Sequence, residues 1–359
     1  MAITFAPGPS QLYPTVPAHI AEAIATGVLT ASHRSKFYSE LHAGTVAAIR
    51  ELLGLPDDYH VWFVGSATEG LERIVQNTVQ THSHHFIAGA FAQRFADQAA
   101  GLGKTVTTTV ADWGMGFDLD SEDIPDSAEL ITVTQNETST GTSIDPESIA
   151  RLAGRYPDKL LAVDITSSAP FVELDYLALD AAVFSVQKGF GLPAGLGVII
   201  ASPRALDRAR QLQASGRPIG AFHSFPEMAA FEAKHQTSET PNVLGIYLLG
   251  AVCRDFLAYG VDRLRSELAG QADSIYKFLD EHPHYEPFVP APHRSSTVIV
   301  TAASDGPRPV IDSLSPLGIK LGSGYGKLKD SHLRIANFPA HIGHTDRLIE
   351  LLDKNASGA

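Results

Sequence analysis

The sequence predicts an α/β fold built on a mainly parallel sheet, and three observations carry that expectation. Between residues 60 and 200, short apolar runs alternate with helix-like segments, the pattern of strands covered by helices on both faces. Two of those runs lead to ionisable residues, one ending in Asp164 and the other reaching Lys188 through Ser185-Val186-Gln187, and open α/β sheets gather ligand-binding groups at the carboxyl ends of their strands. Beyond residue 297 the apolar runs shorten and mix with helices, which indicates a smaller α+β unit.

Taken in order, residues 16–55 read as helical, with an interruption at Ser32-His33-Arg34 and a stop at Gly54-Leu55-Pro56. Strands are expected at 61–64, 86–88, 106–110, 130–133, 160–163, 182–185 and 198–201. Residues 203–240 look irregular and mobile, and a long apolar helix then runs from 243 to 259. After it come a strand at 297–301, a helix at 310–314, strands at 319–321 and 333–336, and a closing helix at 344–354. The expected organisation is a large domain, 15–245, and a small C-terminal domain, 246–359, which 1–14 joins.

Composition narrows the function classes. A chain of 359 residues that is 44% hydrophobic buries a full core, and its net charge of −13 argues against nucleic acid as a partner, since phosphate backbones need clustered Lys and Arg. No basic-then-apolar leader and no membrane-length apolar run is visible, so the expectation is a cytoplasmic protein with no membrane partner. One cysteine excludes an internal disulfide, and Cys253, among apolar neighbours, reads as a small buried hydrophobe. Of fifteen histidines, His82-Ser83-His84-His85 reads as a solvated turn, and none forms a metal-ligand pattern, so no metal is expected.

Lys188 carries the sharpest chemical signal. The run Ala181-Ala182-Val183-Phe184 leads into it, and Gly189-Phe190-Gly191 follows, leaving room for a ligand to reach an amine able to form an imine with a carbonyl. Upstream, Leu160-Leu161-Ala162-Val163 ends in Asp164. Pyridoxal 5′-phosphate needs this pair: a lysine for its aldehyde and a carboxylate for its pyridine nitrogen. A strand-end Asp also serves as a helix cap. Val61 to Leu71 reads as strand, small-residue turn and helix start, where amides with Ser66 and Thr68 form a phosphate cradle or an ordinary capping box.

These residues resemble those of the class V aminotransferases of fold type I, along nearly the whole chain. The supporting stretches are Ala6-Pro7-Gly8-Pro9, Ser32-His33-Arg34, Asn136-Glu137-Thr138, Gln187-Lys188 and Glu239-Thr240-Pro241-Asn242; the Asn-Glu-Thr and Gln-Lys elements in this order are the more specific. The resemblance implies a Schiff base at Lys188, Asp164 at the pyridine nitrogen and Thr138 at the ring hydroxyl. It implies Gln187, Ala67 and Thr68 at the cofactor phosphate, and Thr240 reaching that phosphate from the other subunit of a homodimer with shared sites. Phe91 falls where the family stacks a Trp on the ring, although a core role is equally open.

Within the family the resemblance is closest to the phosphoserine aminotransferases. It implies a transaminase acting on small amino-acid and 2-oxo-acid substrates, here phosphoserine with 2-oxoglutarate in serine biosynthesis, with Arg334 at the α-carboxylate and His33 and Arg34 as further cations. Three departures stand out. Thr68 or a neighbour replaces an Arg of the cofactor loop, Glu239 replaces an Asn beside Thr240, and the His-Arg pair ahead of the carboxylate arginine is missing. Lys327 stands at about the distance of that pair and supplies a point charge, with Tyr325 a hydroxyl donor. The competing expectations are a class V enzyme using unphosphorylated serine or alanine with glyoxylate or pyruvate, and a lyase on the same scaffold.

Overall fold

The computed structural model describes residues 2–357. In chain order, β1 (Ile3–Thr4) precedes α1 (Val16–Ala25) and α2 (Lys36–Leu53). Helix α2 begins on Ser35, whose hydroxyl accepts from the Tyr38 amide at 3.1 Å, and ends at Gly54, whose φ of 66° is the left-handed conformation that terminates helices. The alternation follows with β2 (His60–Val64), α3 (Ala67–Thr78), β3 (His82–Ile87), α4 (Ala90–Gly101), β4 (Thr105–Val110) and β5 (Leu130–Thr134). A small hairpin, β6 (Asn136–Glu137) and β7 (Thr142–Ser143), leads to α5 (Pro146–Arg155), β8 (Leu160–Asp164), β9 (Ala181–Ser185), β10 (Gly197–Ala201), α6 (Pro203–Ala214) and α7 (Phe225–Glu232).

Seven strands form one sheet in the order β2-β10-β9-β8-β5-β3-β4, parallel except that β10 runs antiparallel to both neighbours. The register aligns Thr134 with Asp164 and Asp164 with Val183, so the strand ends carrying the polar groups lie side by side. Alternate residues feed opposite faces: Val61 and Phe63 join the core under α2 and α8, while Trp62 and Val64 join the core under α3 and α6. Burial on both sides is why these strands read as continuous apolar runs rather than alternating ones.

The rest comprises α8 (Val243–Tyr259), α9 (Val261–Glu281), β11 (Tyr285–Pro287), β12 (Val298–Ala303), α10 (Pro307–Leu314), β13 (Ile319–Lys320), β14 (Gly322–Ser323), β15 (His332–Ala336) and α11 (Thr345–Ser357). Helix α8 lies against α2, so closely that a Cβ at Gly250 would fall 2.3 Å from Thr45 Oγ1. Strands β11-β12-β15-β14 form an antiparallel sheet with its own core of Ile299, Leu333, Ile335 and Leu348, which Phe5 enters; β1 pairs with β13 through Ile3 and Ile319. Among the described residues no single helix is long and apolar enough to cross a membrane.

Two expectations are corrected. Residues 203–240 are not irregular throughout, because α6 and α7 occupy much of the segment. Helix α6 is capped by Ser202 and started by Pro203, and it buries Ala205, Leu206, Ala209 and Leu212 along one stripe that the intervening Arg, Asp and Gln residues mask in the sequence. The residues His82 to His85 are not a solvated turn but part of β3, fully inside the protein. Hydroxyls satisfy their rings: His82 meets Ser127 and Thr107, His84 meets Thr107 and Thr109, and His85 meets Ser83 and Thr132. Helix α9, of 21 residues, is a further element the sequence reading did not assign; it buries Leu264, Leu268, Ala272, Ile275 and Leu279 along one stripe between charged residues.

Candidate active site

The carboxyl ends of β2, β5, β8 and β9 open into a cavity of about 430 Å³ whose lining includes Lys188, Asp164, Thr138, Gln187, Ala67, Thr68 and Phe91. These seven, separated by up to 121 positions in the sequence (188 minus 67), meet because the parallel sheet puts all its strand ends on one edge. Backbone packing closes over the lysine. A Cβ on Gly189 would fall 2.2 Å from the Ala169 carbonyl oxygen, and one on Gly8 would fall 2.2 Å from Lys188 Nζ, so the Gly8-Pro9 segment covers the amine.

Electrostatics prepares this pair for chemistry. Burial and the nearby Arg334 cation, opposed by Asp164 and Glu137, bring the Lys188 ammonium down to about 8 from its usual 10.5, which makes the unprotonated amine accessible near neutral pH. Burial pushes the Asp164 carboxyl upward, against the Thr166 hydrogen bonds and the charges of Lys188 and Arg94. The Thr166 amide donates to Asp164 Oδ1 at 2.8 Å, which fixes the carboxylate at the strand end.

Other residues hold the frame. The Ala67 amide, at the start of α3, donates to Ser185 Oγ at 2.7 Å, which ties the helix to β9. Ser66 caps the helix by accepting from the Glu69 amide, and Glu69 Oε2 accepts from the Gly65 amide at 2.8 Å, so this turn is a capping structure as well as a cavity wall. Glu137 is enclosed and accepts from the amides of Phe91, Ala92 and Ser139 and the Ser139 hydroxyl, which anchors the start of α4 beneath Phe91. Thr138 Oγ1 donates to Ser167 Oγ at 2.8 Å. The Phe91 ring lies 6.0 Å from Lys188 Nζ and 5.2 Å from the Tyr325 ring.

The other residues singled out from the sequence lie elsewhere. Arg334 is half-buried close by, where its Nε donates to the Ser323 carbonyl and its Nη1 to the Thr138 carbonyl, and its guanidinium lies 5.3 Å from the Tyr325 ring. Lys327 is exposed, its ammonium 4.5 Å over the Trp113 ring. His33 and Arg34 are outside this cavity, and Arg34 Nη1 donates to Gln236 Oε1 and the Thr237 carbonyl, both at 2.9 Å. Thr240 is exposed on the same segment. Beside it Glu239 turns to His223 Nε2 at 3.1 Å, while His223 Nδ1 meets Glu69 at 2.5 Å; the acid at 239 therefore has its own cation.

Sequence reasoning missed Arg94, Thr134, Thr166 and Ser185, all of which line the cavity. Arg94 had a signal, since it follows Phe91 by three positions and shares its helix face. The threonines had none, because nothing local distinguishes a strand-end hydroxyl that faces a ligand.

The residue pattern of the class V aminotransferase family matches this chain over residues 4–334. The chain belongs to the class V aminotransferases. It is similar to a phosphoserine aminotransferase of a Nocardioides species, 30% identical over 352 residues that cover 94% of this chain and 90% of the relative. One from Rhodococcus opacus is 30% identical over 349 residues, with the same coverage of both chains. Among solved structures, a phosphoserine aminotransferase from Cytophaga hutchinsonii superposes with a TM-score of 0.97 at 38% identity, covering 98% of each chain. An aspartate aminotransferase from Thermus thermophilus, at 22% identity and a TM-score of 0.86 over 99% of each chain, shares the fold.

The class is that of pyridoxal 5′-phosphate-dependent transaminases of fold type I, and the cavity fits that cofactor. The hydroxyl of Thr134 is buried at its wall with no hydrogen-bond partner, which is the condition of a group awaiting a polar ligand. A half-buried aromatic ring, an enclosed carboxylate, an amine near 8 and the amide end of α3 face the same space.

Proposed function

We propose that the chain transfers the amino group between phosphoserine and 2-oxoglutarate, interconverting them with 3-phosphohydroxypyruvate and glutamate. The observation that carries this reading is the end-to-end similarity to phosphoserine aminotransferases, with 38% identity to the Cytophaga enzyme across 98% of both chains. When bound, pyridoxal 5′-phosphate supplies a carbonyl carbon that accepts an amino group and a ring that withdraws electrons from the adjoining Cα–H bond.

In this proposal Lys188 would hold the cofactor through Nζ, and its amine would move the donor's Cα proton. Its value near 8 suits both tasks, because the amine gives up and accepts protons close to working pH. Asp164 keeps a proton on the pyridine nitrogen, and its position at the end of β8, held by the Thr166 amide, supports that role. Thr138 and Phe91 would hold the cofactor ring, and Ala67, Thr68 and Gln187 its phosphate, together with the partner subunit's Thr240. Arg334, its guanidinium already oriented by two carbonyls, grips the donor α-carboxylate as a planar cation.

His33, Arg34 and Lys327 serve the donor phosphate. Because Arg34 is bonded to Gln236 and the Thr237 carbonyl, any two-fold dimer that delivers Thr240 to the neighbouring site delivers the His33-Arg34 turn with it. The same proposal includes a larger cofactor-binding unit and a smaller C-terminal unit joined by 1–14, supported by the separate core around Ile299 and the β1–β13 pairing; because α8 packs on α2 in the core of the larger unit, the boundary lies beyond α8 rather than at the 245 expected from the sequence. It places the homodimer in the cytoplasm, where the buried thiol of Cys253 stays reduced.

The experiment is spectroscopic. The loaded enzyme should absorb visible light, lose the band on addition of phosphoserine and regain it with 2-oxoglutarate, and Lys188→Ala should lack the band altogether. Near-normal turnover in Asp164→Asn would remove Asp164 from its role, and equal efficiency with serine and phosphoserine would remove the phosphorylated donor. Full activity in a monomer verified by sedimentation would remove the shared site.

A further inference from the structure

We propose that Arg94 supplies the cation that grips the cofactor phosphate, from helix α4 rather than from the loop that leads into α3. The inference rests on the reading of this cavity as the pyridoxal 5′-phosphate site.

Arg94 lines the cavity, half-buried, with its guanidinium carbon 5.2 Å from the centroid of the Phe91 ring, and among the described residues no carboxylate, carbonyl or hydroxyl accepts a hydrogen bond from it. A guanidinium has five donors in a fixed fork and is ordinarily paired when it is drawn toward a protein interior. The nearby carboxylate, Asp164, feels the charge of Arg94 but directs its Oδ1 to the Thr166 amide. An unpaired fork facing a cavity is a site for an anion.

Its position selects which anion. One turn further along α4, Gln98 Nε2 donates to the Thr68 carbonyl at 2.8 Å, so this face of α4 is docked on the first turn of α3. Arg94 precedes Gln98 by four residues and shares its helix face, which places it beside the amide end of α3, where an anion is already favoured. Helix termini contribute only about half a charge, whereas a phosphate monoester carries roughly −1.5 to −2 near neutral pH.

The remaining charges do not close that gap. The stretch Gly65-Ser66-Ala67-Thr68 has no cation, and Glu69 behind it is anionic and engaged by His223. Lys188 is committed to the carbonyl carbon, and Asp164 adds a further negative charge. Arg94 is the only arginine among the residues that line the cavity. A bidentate guanidinium–phosphate contact supplies the missing charge with matching geometry.

The test uses the full-length protein stripped of cofactor and titrated separately with pyridoxal 5′-phosphate and with pyridoxal, which lacks the phosphate, reading quenching of tryptophan fluorescence and the visible band. Arg94→Gln should weaken the phosphorylated ligand roughly 10- to 100-fold, the range of a hydrogen-bonded charge pair, while pyridoxal affinity stays within about twofold. Arg94→Lys should recover part of the loss, because it restores the charge without the fork. Matching melting temperatures of the cofactor-free proteins would exclude a folding defect.

Equal weakening of both ligands, or an unchanged dissociation constant for the phosphorylated one, overturns the proposal. So does a raised KM for phosphoserine with cofactor affinity intact, since that would assign Arg94 to the substrate. If the wild-type protein itself binds neither ligand, the cavity has been misread as a whole, an outcome distinct from a null result in the Arg94 variants alone.

Discussion

Gly197 is the position at which one methyl group should separate folding from cofactor binding. It is the first residue of β10, paired with Val64 on one side and Ser185 on the other, and α3 begins directly above it. A Cβ there would fall 2.3 Å from the Ser66 carbonyl carbon, 2.6 Å from the Ser66 oxygen and 2.7 Å from the Ala67 nitrogen. Ordinary carbon contacts begin near ~3.5 Å, so the start of α3 must retreat by about 1 Å. The helix has little freedom to do so, because Gly70 is seated against the sheet as well, where an added Cβ would meet Val183 Cγ2 at 2.6 Å.

For Gly197→Ala the expected loss of stability is about 1–3 kcal/mol, the cost of overpacking a rigid core. The retreat also stretches the 2.7 Å bond from the Ala67 amide to Ser185 and displaces the start of α3, which is proposed above to hold the cofactor phosphate. Losing one charge-assisted hydrogen bond weakens pyridoxal 5′-phosphate roughly tenfold or more, and pyridoxal much less. Urea unfolding of the cofactor-free protein measures the first effect, and fluorescence titration the second. Gly270→Ala is the control: the residue is in the middle of α9 with open space around it, and the change should stabilise by roughly 0.5–1 kcal/mol. Wild-type stability and cofactor affinity in Gly197→Ala would refute the reasoning.

Two further predictions concern pH. Burial holds His341 at about 4 and His85 at about 3, both below the 6.5 of an unfolded histidine, so the unfolded chain binds protons first as the solution is acidified. Their contribution is complete above 6.5 and is lost as pH falls, for His341 by about 3 kcal/mol on reaching 4; denaturant unfolding between pH 8 and 4 should show this slope, and an equal slope in His341→Gln would contradict it. His223 behaves oppositely. Burial lowers it, but the carboxylates of Glu239 and Glu69 outweigh burial and raise it to about 9. Its bridge is at full strength below 6.5 and is lost as pH rises through 9, so the melting-temperature gap between wild type and His223→Gln should close above that value; a gap that persists at pH 10 would sink the ionic bridge.

Much of the site was legible because its signals are local. A strand buried on both faces must be a continuous apolar run, and a polar residue at its end must face the sheet edge, so Asp164 and Lys188 could be placed from their neighbours. The Gly54 stop and the Ser66 turn were likewise written in residues that determine their own backbone. The sequence by itself therefore determined the alternation of strands and helices, the direction of the strand ends and the chemistry gathered there.

Only the tertiary structure decided which polar groups find partners. The histidines of β3 look solvated until Thr107, Thr109 and Thr132 arrive from neighbouring strands. Glu239 looks misplaced beside Thr240, which the family resemblance assigns to the cofactor phosphate, until His223 joins it to Glu69, a residue 170 positions away in the chain (239 minus 69). Arg94 looks like an ordinary surface arginine until the docking of α4 on α3 leaves its fork facing a cavity. Hydrogen bonds and ion pairs form between groups that folding brings within about 3 Å, and that proximity comes from chain crossovers on which neighbouring residues carry no information.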